Sequence, residues 1–198
     1  MGTCYRLDEV RSIAEVAMGH GMKSHMDGAR LANAIAFLGC TPAEATWKAG
    51  VDALSFGLTK NGALAAETVV FFHAEDARDF EYRRKRFGHL VSKMRFVTAQ
   101  VSCALDGDRW LGWARIANMR ASLLADSLRK IPDLEIIYPV EANLVFVSLP
   151  ESLFHKLQSA GAKYYDWGPW EKGRRLARFV TSFATTEGEI GQLLTACM

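Results

Sequence analysis

Two absences narrow the classes to which this sequence can belong. It has no apolar run close to the roughly 20 residues that a membrane-spanning helix needs. It also has no basic segment followed by an apolar one near its beginning, so we expect no signal peptide. The formal net charge is only +2, which gives no reason to expect a polyanionic partner. We therefore expect a protein that binds neither membranes nor nucleic acids.

Cysteine is scarce and scattered. The four cysteines, Cys4, Cys40, Cys103 and Cys197, lie far apart and form neither a CxxC pair nor the spacing with histidine that is typical of zinc sites. This pattern argues against a metal site and against a disulfide scaffold, and it fits the reducing cytoplasm. What remains is an ordinary soluble composition, with 49% hydrophobic and 23% charged residues.

In the first half of the chain, strand and helix patterns alternate. Apolar spacing predicts a helix over Leu7–His20, and "MKSHMD" predicts a short strand that ends at Asp27. "GARLANAIAFLG" predicts a helix that Gly39 ends, and Thr41 with Glu44 forms a capping-box pattern at the next helix start. "VDALSFG" and "ETVVFFH" predict two further strands. Strand, helix and strand at this spacing are typical of parallel crossovers in an α/β sheet.

In the second half of the sequence, the pattern predicts helices from Ala74 to about Lys130, with breaks at Gly88 and at Asp106-Gly107. Beyond this helical stretch, the pattern predicts three strands, a helix between the second and the third, and a final helix. In chain order these are Leu134–Ile137, Asn143–Leu149, a helix around Pro150–Ser159, Leu176–Phe183, and a helix that begins near Thr186. Strands and helices in this order predict a small α+β domain.

Asp27 lies at the C-terminal end of one predicted strand of the first half, and Lys60 lies in a turn after another. Taken singly, Asp27 reads as the N-cap of the next helix, and Lys60 reads as a solvated lysine beside the turn dipeptide Asn61-Gly62. Taken together, they suggest a pyridine-aldehyde cofactor at the edge of the sheet where α/β proteins bind ligands. The lysine would form an imine with the aldehyde, and the carboxylate would keep the pyridine nitrogen protonated.

"HMDGARLANAIA" (residues 25–36) followed by "VDALSFGLTKNGA" (residues 51–63) resembles the L-threonine aldolase family, in particular its low-specificity branch. "YRRKRFGHLVSKMRF" and "ARFVTSFATTEGEI" extend the similarity along the chain. The resemblance implies the aspartate-aminotransferase-like fold and the cofactor pyridoxal 5′-phosphate (PLP). The expected fold class is therefore α/β, with part of a large, mostly parallel PLP-binding domain and a small α+β C-terminal domain.

The resemblance also implies roles for single residues. Lys60 matches the Schiff-base lysine, and Asp27 matches the aspartate on the pyridine nitrogen. Arg30 matches an arginine near the ring hydroxyl of the cofactor. Arg178 matches the arginine that binds the substrate α-carboxylate, and Arg95 matches a basic residue that reaches the phosphate region from a neighbouring subunit. One departure is that Asn61 follows the lysine where the family commonly has glycine, which leaves the loop geometry open.

Each of these arginines has a simpler interpretation. Arg178 could be a strand-edge arginine in water, Arg95 a partly exposed helix arginine, and Arg30 a residue of the first helical turn, where a cation is mildly disfavoured. The run Arg83–Arg86 could be a nucleic-acid patch, but consecutive residues spread around a helix and form no single stripe. A stacking platform could be formed by the tryptophans Trp110, Trp113, Trp167 and Trp170, although packing is the simpler role for the first two.

The resemblance further implies a domain organisation and an assembly. Residues 1–88 match the C-terminal part of the large domain, residues 89–105 a connecting helix, and residues 106–198 the small domain. We expect a homo-oligomer, a tetramer by resemblance, that cleaves L-threonine and related β-hydroxy-α-amino acids to glycine and an aldehyde. Family members have substantial sequence before the region matching Tyr5, so we expect this chain to be their C-terminal part and to have little or no aldolase activity by itself. A β-eliminating amino-acid lyase and a non-catalytic remnant stay open as alternatives.

Overall fold

The computed structural model describes all 198 residues, Met1–Met198. They form two compact units. Tyr5–Gly112 make up the first, which we call the Lys60 unit, and Trp113–Met198 with Met1–Cys4 make up the second, the Arg178 unit. The division falls inside a long helix, α6, whose bounds are Arg109–Leu128. None of the helices combines the length and the apolar character that crossing a membrane requires.

The Lys60 unit contains a three-stranded sheet with strands in the order β1 (His25–Gly28), β2 (Ala53–Gly57) and β3 (Glu67–Phe71). Strands β1 and β2 are parallel, with Asp27 opposite Ser55, so the predicted crossover is confirmed. Strand β3 runs antiparallel to β2. The connection over residues 58–66 is too short for the crossover of a dozen or more residues that a parallel strand would need.

Five helices complete this unit: α1 (Leu7–Gly19), α2 (Leu31–Leu38), α3 (Pro42–Ala45), α4 (Phe80–Arg86) and α5 (Arg95–Leu105). Two predicted end signals are confirmed. Gly39 adopts a left-handed conformation with φ of 67° directly after α2, a conformation that glycine accepts without steric cost. At the start of α3, the Thr41 hydroxyl accepts a hydrogen bond of 3.2 Å from the Glu44 amide, which completes the capping box.

The Arg178 unit contains a four-stranded antiparallel sheet and the helices α7 (Glu151–Ser159) and α8 (Glu187–Cys197). Its strands are ordered β4 (Glu135–Ile136), β5 (Leu144–Pro150), β7 (Arg174–Val180) and β6 (Tyr165–Pro169). One face of the sheet buries Val145, Val147, Ala177 and Phe179 against the helices. The opposite face carries a smaller apolar cluster of Leu144, Phe146 and Leu176. Alternate residues of β5 and β7 therefore face opposite sides, as the pleat requires.

The sequence pattern missed one strand of this sheet. Strand β6 reads "YDWGP", in which glycine and proline interrupt the alternation of apolar and polar residues. Its pairing with β7 shifts register between Asp166 and Pro169, and Gly168 has φ of 112°. An irregularity of this kind removes the period-two signal on which strand prediction depends. The final helix, in contrast, begins as predicted, with Thr186 as its N-cap.

Candidate active site

Asp27 lies at the C-terminal end of β1, and its side chain is exposed. Its Oδ1 atom accepts a hydrogen bond of 3.0 Å from the backbone N–H of Ala29. The N-cap of α2 is Arg30, without a side-chain capping bond, so the interpretation of Asp27 as a helix cap is wrong. The carboxylate instead accepts a hydrogen bond within its own turn. This turn lies at the edge of the sheet where ligands bind in α/β proteins.

Lys60 lies three residues beyond the C-terminal end of the adjacent parallel strand β2. It is the middle residue of a 3₁₀ turn, Thr59–Asn61, and its side chain is exposed. Gly62 ends the turn with φ of 105°, a value that glycine adopts readily. Because β1 and β2 are parallel neighbours, Asp27 and Lys60 both lie at the same edge of the sheet.

The backbone segments that present these two residues approach each other closely. A Cβ atom placed on Gly57 would lie 3.1 Å from the Cα of Ala29 and 2.5 Å from Oε2 of Glu67. Gly57 ends β2 three residues before Lys60, and Ala29 follows Asp27 by two residues. The absence of a side chain at Gly57 thus allows the end of β2 to pack against the turn after β1.

The loop that contains Lys60 is held from several sides. The Thr59 hydroxyl accepts a hydrogen bond of 3.1 Å from the amide of Ala66. The side-chain amide of Asn61, which is buried, donates a bond of 2.8 Å to the carbonyl of Trp110. Asn61 is therefore not a solvated turn residue, and its departure from the common family pattern has a structural role. Lys60 is an exposed side chain on an anchored turn.

Helix α5 connects Arg95 to the same loop. Gln100 of α5 accepts a hydrogen bond of 2.9 Å from the amide of Leu64 through Oε1 and one of 3.3 Å from the amide of Ala65. Arg95 is the first residue of this helix, is exposed, and stacks on Phe96 with its Cζ 5.0 Å from the ring centroid. The structure thus places Arg95 on the helix that contacts the Lys60 loop, while Arg30 is half-buried at the start of α2.

Arg178 lies in the other unit, on β7. This strand is flanked by β5 and β6, so the interpretation of Arg178 as a strand-edge arginine is wrong. Its Cζ lies 4.1 Å from the ring centroid of Tyr165 and 4.8 Å from that of Trp167. The Nε atom is buried and has no hydrogen-bond partner. Arg178 and Tyr165 also line a concave space of about 410 Å³ that includes Lys163.

A buried guanidinium N–H without an acceptor is uncommon in proteins, because such a group loses its hydration without compensation. A carboxylate ligand would supply the missing acceptor in the forked geometry that arginine favours. In the Lys60 unit, a primary amine and a carboxylate at one sheet edge have the chemistry to hold an aromatic aldehyde with a basic ring nitrogen. The Lys60 unit thus presents an amine and a carboxylate at one sheet edge, and the Arg178 unit presents a guanidinium whose Nε–H has no acceptor.

Three contributors to these sites were not identified from the sequence, namely Asn61, Gln100 and Tyr165, and Trp167 was considered only as part of a possible stacking platform. The partner of Asn61 is 49 residues away, a distance that no local pattern encodes. Tyr165 and Trp167 are two residues apart, which would place them on one face of a strand, but the strand itself was not recognised. The packing role expected for Trp110 is confirmed, since its ring lies edge-on to Phe56 at 5.1 Å.

Comparisons with known proteins connect this arrangement to a family. The family profile described as Beta-eliminating lyase matches residues 1–152. The chain is 44% identical over 193 residues to a protein of Pseudomonas sp. (strain NCIMB 10558) described as low specificity L-threonine aldolase. That alignment covers 98% of this chain and 55% of the relative. A protein of the same description from Pseudomonas aeruginosa strain PAO1 matches equally, so the chain spans about half the length of these curated relatives.

Solved structures share the fold. The structure of Leishmania major threonine aldolase superposes with a TM-score of 0.89 at 23% identity, over 99% of this chain and 57% of that one. Oryza sativa TDC, whose structure was determined with PLP and tryptamine, gives a TM-score of 0.66 at 16% identity, over 95% of this chain and 44% of that one. At these identities the similarity establishes the fold, and the expected fold class is confirmed.

Proposed function

The chain belongs to the Beta-eliminating lyase family, and we propose that it supplies catalytic residues for the cleavage of L-threonine and related β-hydroxy-α-amino acids. The observation that carries the proposal is the placement of Asp27 and Lys60 at the same edge of two adjacent parallel strands. The 44% identity to low specificity L-threonine aldolases supports the reaction and the substrate class.

The cofactor that we propose is pyridoxal 5′-phosphate. When bound, it supplies an aldehyde and a pyridine ring that withdraws the electron pair released when a bond to the substrate Cα breaks. Lys60 is the amine that would hold it covalently, because it is exposed on an anchored turn at the same sheet edge as Asp27. Asp27 would keep the proton on the ring nitrogen, since a nearby carboxylate raises the pKa of a cationic partner by about 1–3 units.

Arg178 would bind the α-carboxylate of the substrate. Its Nε–H is buried without a partner, and the rings of Tyr165 and Trp167 contact the guanidinium. Two parallel N–H···O bonds would fix the orientation of the amino acid. Because the carboxylate is common to all α-amino acids, this contact sets the class of substrate and leaves the choice of side chain to other residues.

The bonds that change define the reaction. The Cα–Cβ bond of L-threonine breaks, and its electron pair stays on Cα, which then takes up a proton to give glycine. The β-hydroxyl loses its proton and becomes the carbonyl of acetaldehyde. A β-elimination would instead remove the Cα proton and break the Cβ–O bond, so that water leaves, and hydrolysis of the resulting enamine would give 2-oxobutanoate and ammonia. The match to the family described as Beta-eliminating lyase keeps this second reaction as the alternative.

Two further roles belong to the same proposal. Arg30, at the start of α2 and close to Asp27 in the chain, would lie near the ring hydroxyl of the cofactor. Arg95 would reach the phosphate region from a neighbouring subunit of a homo-oligomer, a tetramer by resemblance, which suits an exposed side chain on a helix that contacts the Lys60 loop.

The organisation and the location that we propose follow the same resemblance. Residues 1–88 would belong to the cofactor-binding domain and residues 106–198 would form the small domain. Residues 89–105 would be the helix that connects the two domains. The four free thiols support a cytoplasmic location.

Product analysis of the full-length protein with added PLP tests the function. L-Threonine should give glycine and acetaldehyde in equal amounts. Lys60→Ala should abolish both products, whereas Lys48→Ala, at another exposed lysine outside the site, should retain them. Formation of 2-oxobutanoate and ammonia instead would establish the elimination reaction. A protein that binds no cofactor and forms neither pair of products would be a non-catalytic remnant, and the proposal would be wrong.

A further inference from the structure

The guanidinium of Arg178 has an aromatic environment that the pairing of two strands creates. Tyr165 of β6 lies directly opposite Arg178 of β7 in the antiparallel register. Trp167 lies two residues further along β6, at the register shift, and its ring projects to the same side as that of Tyr165. As a result, both rings contact one guanidinium group, at 4.1 Å and 4.8 Å from its Cζ.

Trp167 is itself held in place by the apolar cluster on this face of the sheet. Its ring lies edge-on to Phe146, with the centroids 5.4 Å apart. Phe146 is buried, lies opposite Arg178 on β5, and packs edge-on against Tyr138 at 5.4 Å. Edge-to-face contacts of this kind fix ring orientation. The surface against which the guanidinium lies is therefore continuous with the smaller apolar cluster on this face of the sheet.

The other two arginines of β7 provide an internal comparison. Arg174 donates from Nε to the Ser148 hydroxyl at 2.8 Å, and its terminal nitrogen donates to the carbonyls of Ser148 and Asp133. Arg175 pairs with Asp166 and Glu151. Of the three β7 arginines, only Arg178 has a buried Nε without a partner. Its position is thus maintained by ring contacts, whereas its two neighbours are held by protein acceptors.

Ring contacts and hydrogen bonds use different parts of a guanidinium. The flat face lies on an aromatic ring, while the N–H bonds point outward in the plane of the group. An arginine side chain loses rotamer entropy when it becomes ordered. If the rings order the side chain beforehand, less of that entropy is lost when a carboxylate binds.

We propose that Tyr165 and Trp167 are positioning residues, which hold the Arg178 guanidinium ready to bind the α-carboxylate of the amino-acid substrate. This inference rests on the proposed function for the identity of the ligand. It does not depend on that function for the ordering of Arg178, which is a property of the Arg178 unit itself.

The kinetic test compares Trp167→Leu and Trp167→Phe with Trp170→Leu in the PLP-loaded protein. Trp170 is a matched control, because its exposure of 40% is close to the 45% of Trp167 and its ring does not contact Arg178. Loss of one cation–π contact should raise the KM for L-threonine about 2- to 30-fold. The kcat and the affinity for PLP should be unchanged. The KM of Trp167→Phe should stay close to the wild-type value, and Trp170→Leu should match the wild type in all three quantities.

A second readout separates this inference from the proposed function. The Nε–H group of Arg178, assigned through Arg178→Lys, can be followed by NMR relaxation in the protein without substrate. Its order parameter should resemble that of rigid backbone, about 0.85, and fall towards 0.6 or below in the Tyr165→Leu/Trp167→Leu double variant. This prediction holds whether or not the protein cleaves L-threonine.

The outcomes are distinguishable. A KM that is unchanged in Trp167→Leu and in the double variant, in a protein whose KM does rise with Arg178→Leu, would overturn the positioning role and leave the proposed function standing. A wild-type protein that cleaves no L-threonine would remove the proposed function. In that case an Arg178 signal ordered in the wild type and disordered in the double variant would support the positioning role, and equal disorder in both would overturn it.

Discussion

The side-chain amide of Asn61 donates a hydrogen bond of 2.8 Å to the backbone carbonyl of Trp110, and both residues are buried. This bond joins the turn that contains Lys60 to the start of α6. The ring of Trp110 also lies edge-on to Phe56 of β2. The strand that leads to the lysine and the turn that presents it are therefore anchored to the same residue.

We expect Asn61→Ala to lower the free energy of unfolding of the Lys60 unit by about 1–3 kcal/mol, because the Trp110 carbonyl would remain buried without its donor. Urea denaturation measures the change. Thr98→Ala is the control, since the Thr98 hydroxyl makes an exposed bond within α5 and its removal should change stability by no more than about 0.5 kcal/mol. An Asn61→Ala protein as stable as the wild type would show that the bond contributes nothing.

Sequence reasoning succeeded where the signal is local. The capping box at Thr41, the helix start near Thr186 and the helix-ending Gly39 are each encoded within a few residues, and the structure contains all three. The order of strand, helix and strand before Lys60 also sufficed to predict the parallel pair, because the length of a connection limits how two strands can pair.

The remaining features depend on contacts between residues distant in the chain. Strand β6 forms through pairing with β7, and the bulge near Gly168 conceals its alternation. The rings beside Arg178 cannot be identified until that pairing is known. The side chain of Asn61 reads locally as a turn residue, and only the folded chain brings it to the Trp110 carbonyl.

Gly28 is predicted to be intolerant of any side chain. It follows Asp27 at the end of β1, and a Cβ atom there would lie 2.7 Å from the Ser55 carbonyl oxygen and 2.5 Å from Cδ1 of Leu54. We expect Gly28→Ala to destabilise the protein by about 1–3 kcal/mol through overpacking and to weaken PLP binding by displacing Asp27. The denaturation midpoint and a cofactor titration measure the two effects.

The control for this substitution is Gly19→Ala at the end of α1. No heavy atom lies within 4 Å of a Cβ at that position, so alanine should be neutral or stabilising by up to about 1 kcal/mol. Equal denaturation midpoints for Gly28→Ala and the wild type would contradict the close packing inferred at the end of β1.

Lys60 is predicted to be the covalent anchor of the cofactor. Borohydride reduction of the PLP-loaded protein, followed by peptide mapping, should find a pyridoxyl group on Lys60. Lys48 and Lys93 are also exposed, so they report non-specific labelling in the same sample. Labelling should disappear from the Lys60→Ala protein and persist at full yield in Lys48→Ala. A pyridoxyl group found mainly on Lys48 or Lys93 would refute the assignment.

Arg95 is predicted to act on a neighbouring subunit. Arg95→Ala and Lys60→Ala proteins should each be inactive or strongly impaired as separate preparations. If one subunit provides Lys60 and another provides Arg95, mixed oligomers contain some sites with both residues and should recover part of the activity. Subunit exchange is verified with two differently tagged chains. Exchange without any recovery would place Arg95 and Lys60 in the same subunit or remove Arg95 from the site.

Asp52 joins the N-terminal ends of the two parallel strands that present Asp27 and Lys60. It precedes β2, and its Oδ2 accepts a hydrogen bond of 2.8 Å from the amide of Ser24, which precedes β1. That backbone bond is the main reason why the pKa of Asp52 lies below its ordinary value, and Lys23, 3.3 Å from Oδ1, lowers it further.

The direction of the pH effect follows from the lowered pKa. A carboxyl group with a lower pKa in the folded protein stabilises the fold fully above its ordinary pKa of 3.8. The stabilisation is lost as the pH falls through the lower native value, because the folded and the unfolded chain then both hold the proton. Asp52→Asn removes the titrating group and should lower the free energy of unfolding by about 1–2 kcal/mol at pH 6.

The measurement is the difference in unfolding free energy between the wild type and the Asp52→Asn protein, taken at intervals from about pH 6 to about pH 2.5. His73 lies 3.6 Å from Oδ1 of Asp52, so both proteins should also be studied with His73→Gln, which removes the histidine charge from the comparison. We expect the difference to be constant above about pH 5 and to shrink towards zero below pH 3.8. A difference that stayed the same down to the lowest pH would show that the carboxylate charge has no part in joining β1 to β2, and that only the shape of the side chain matters there.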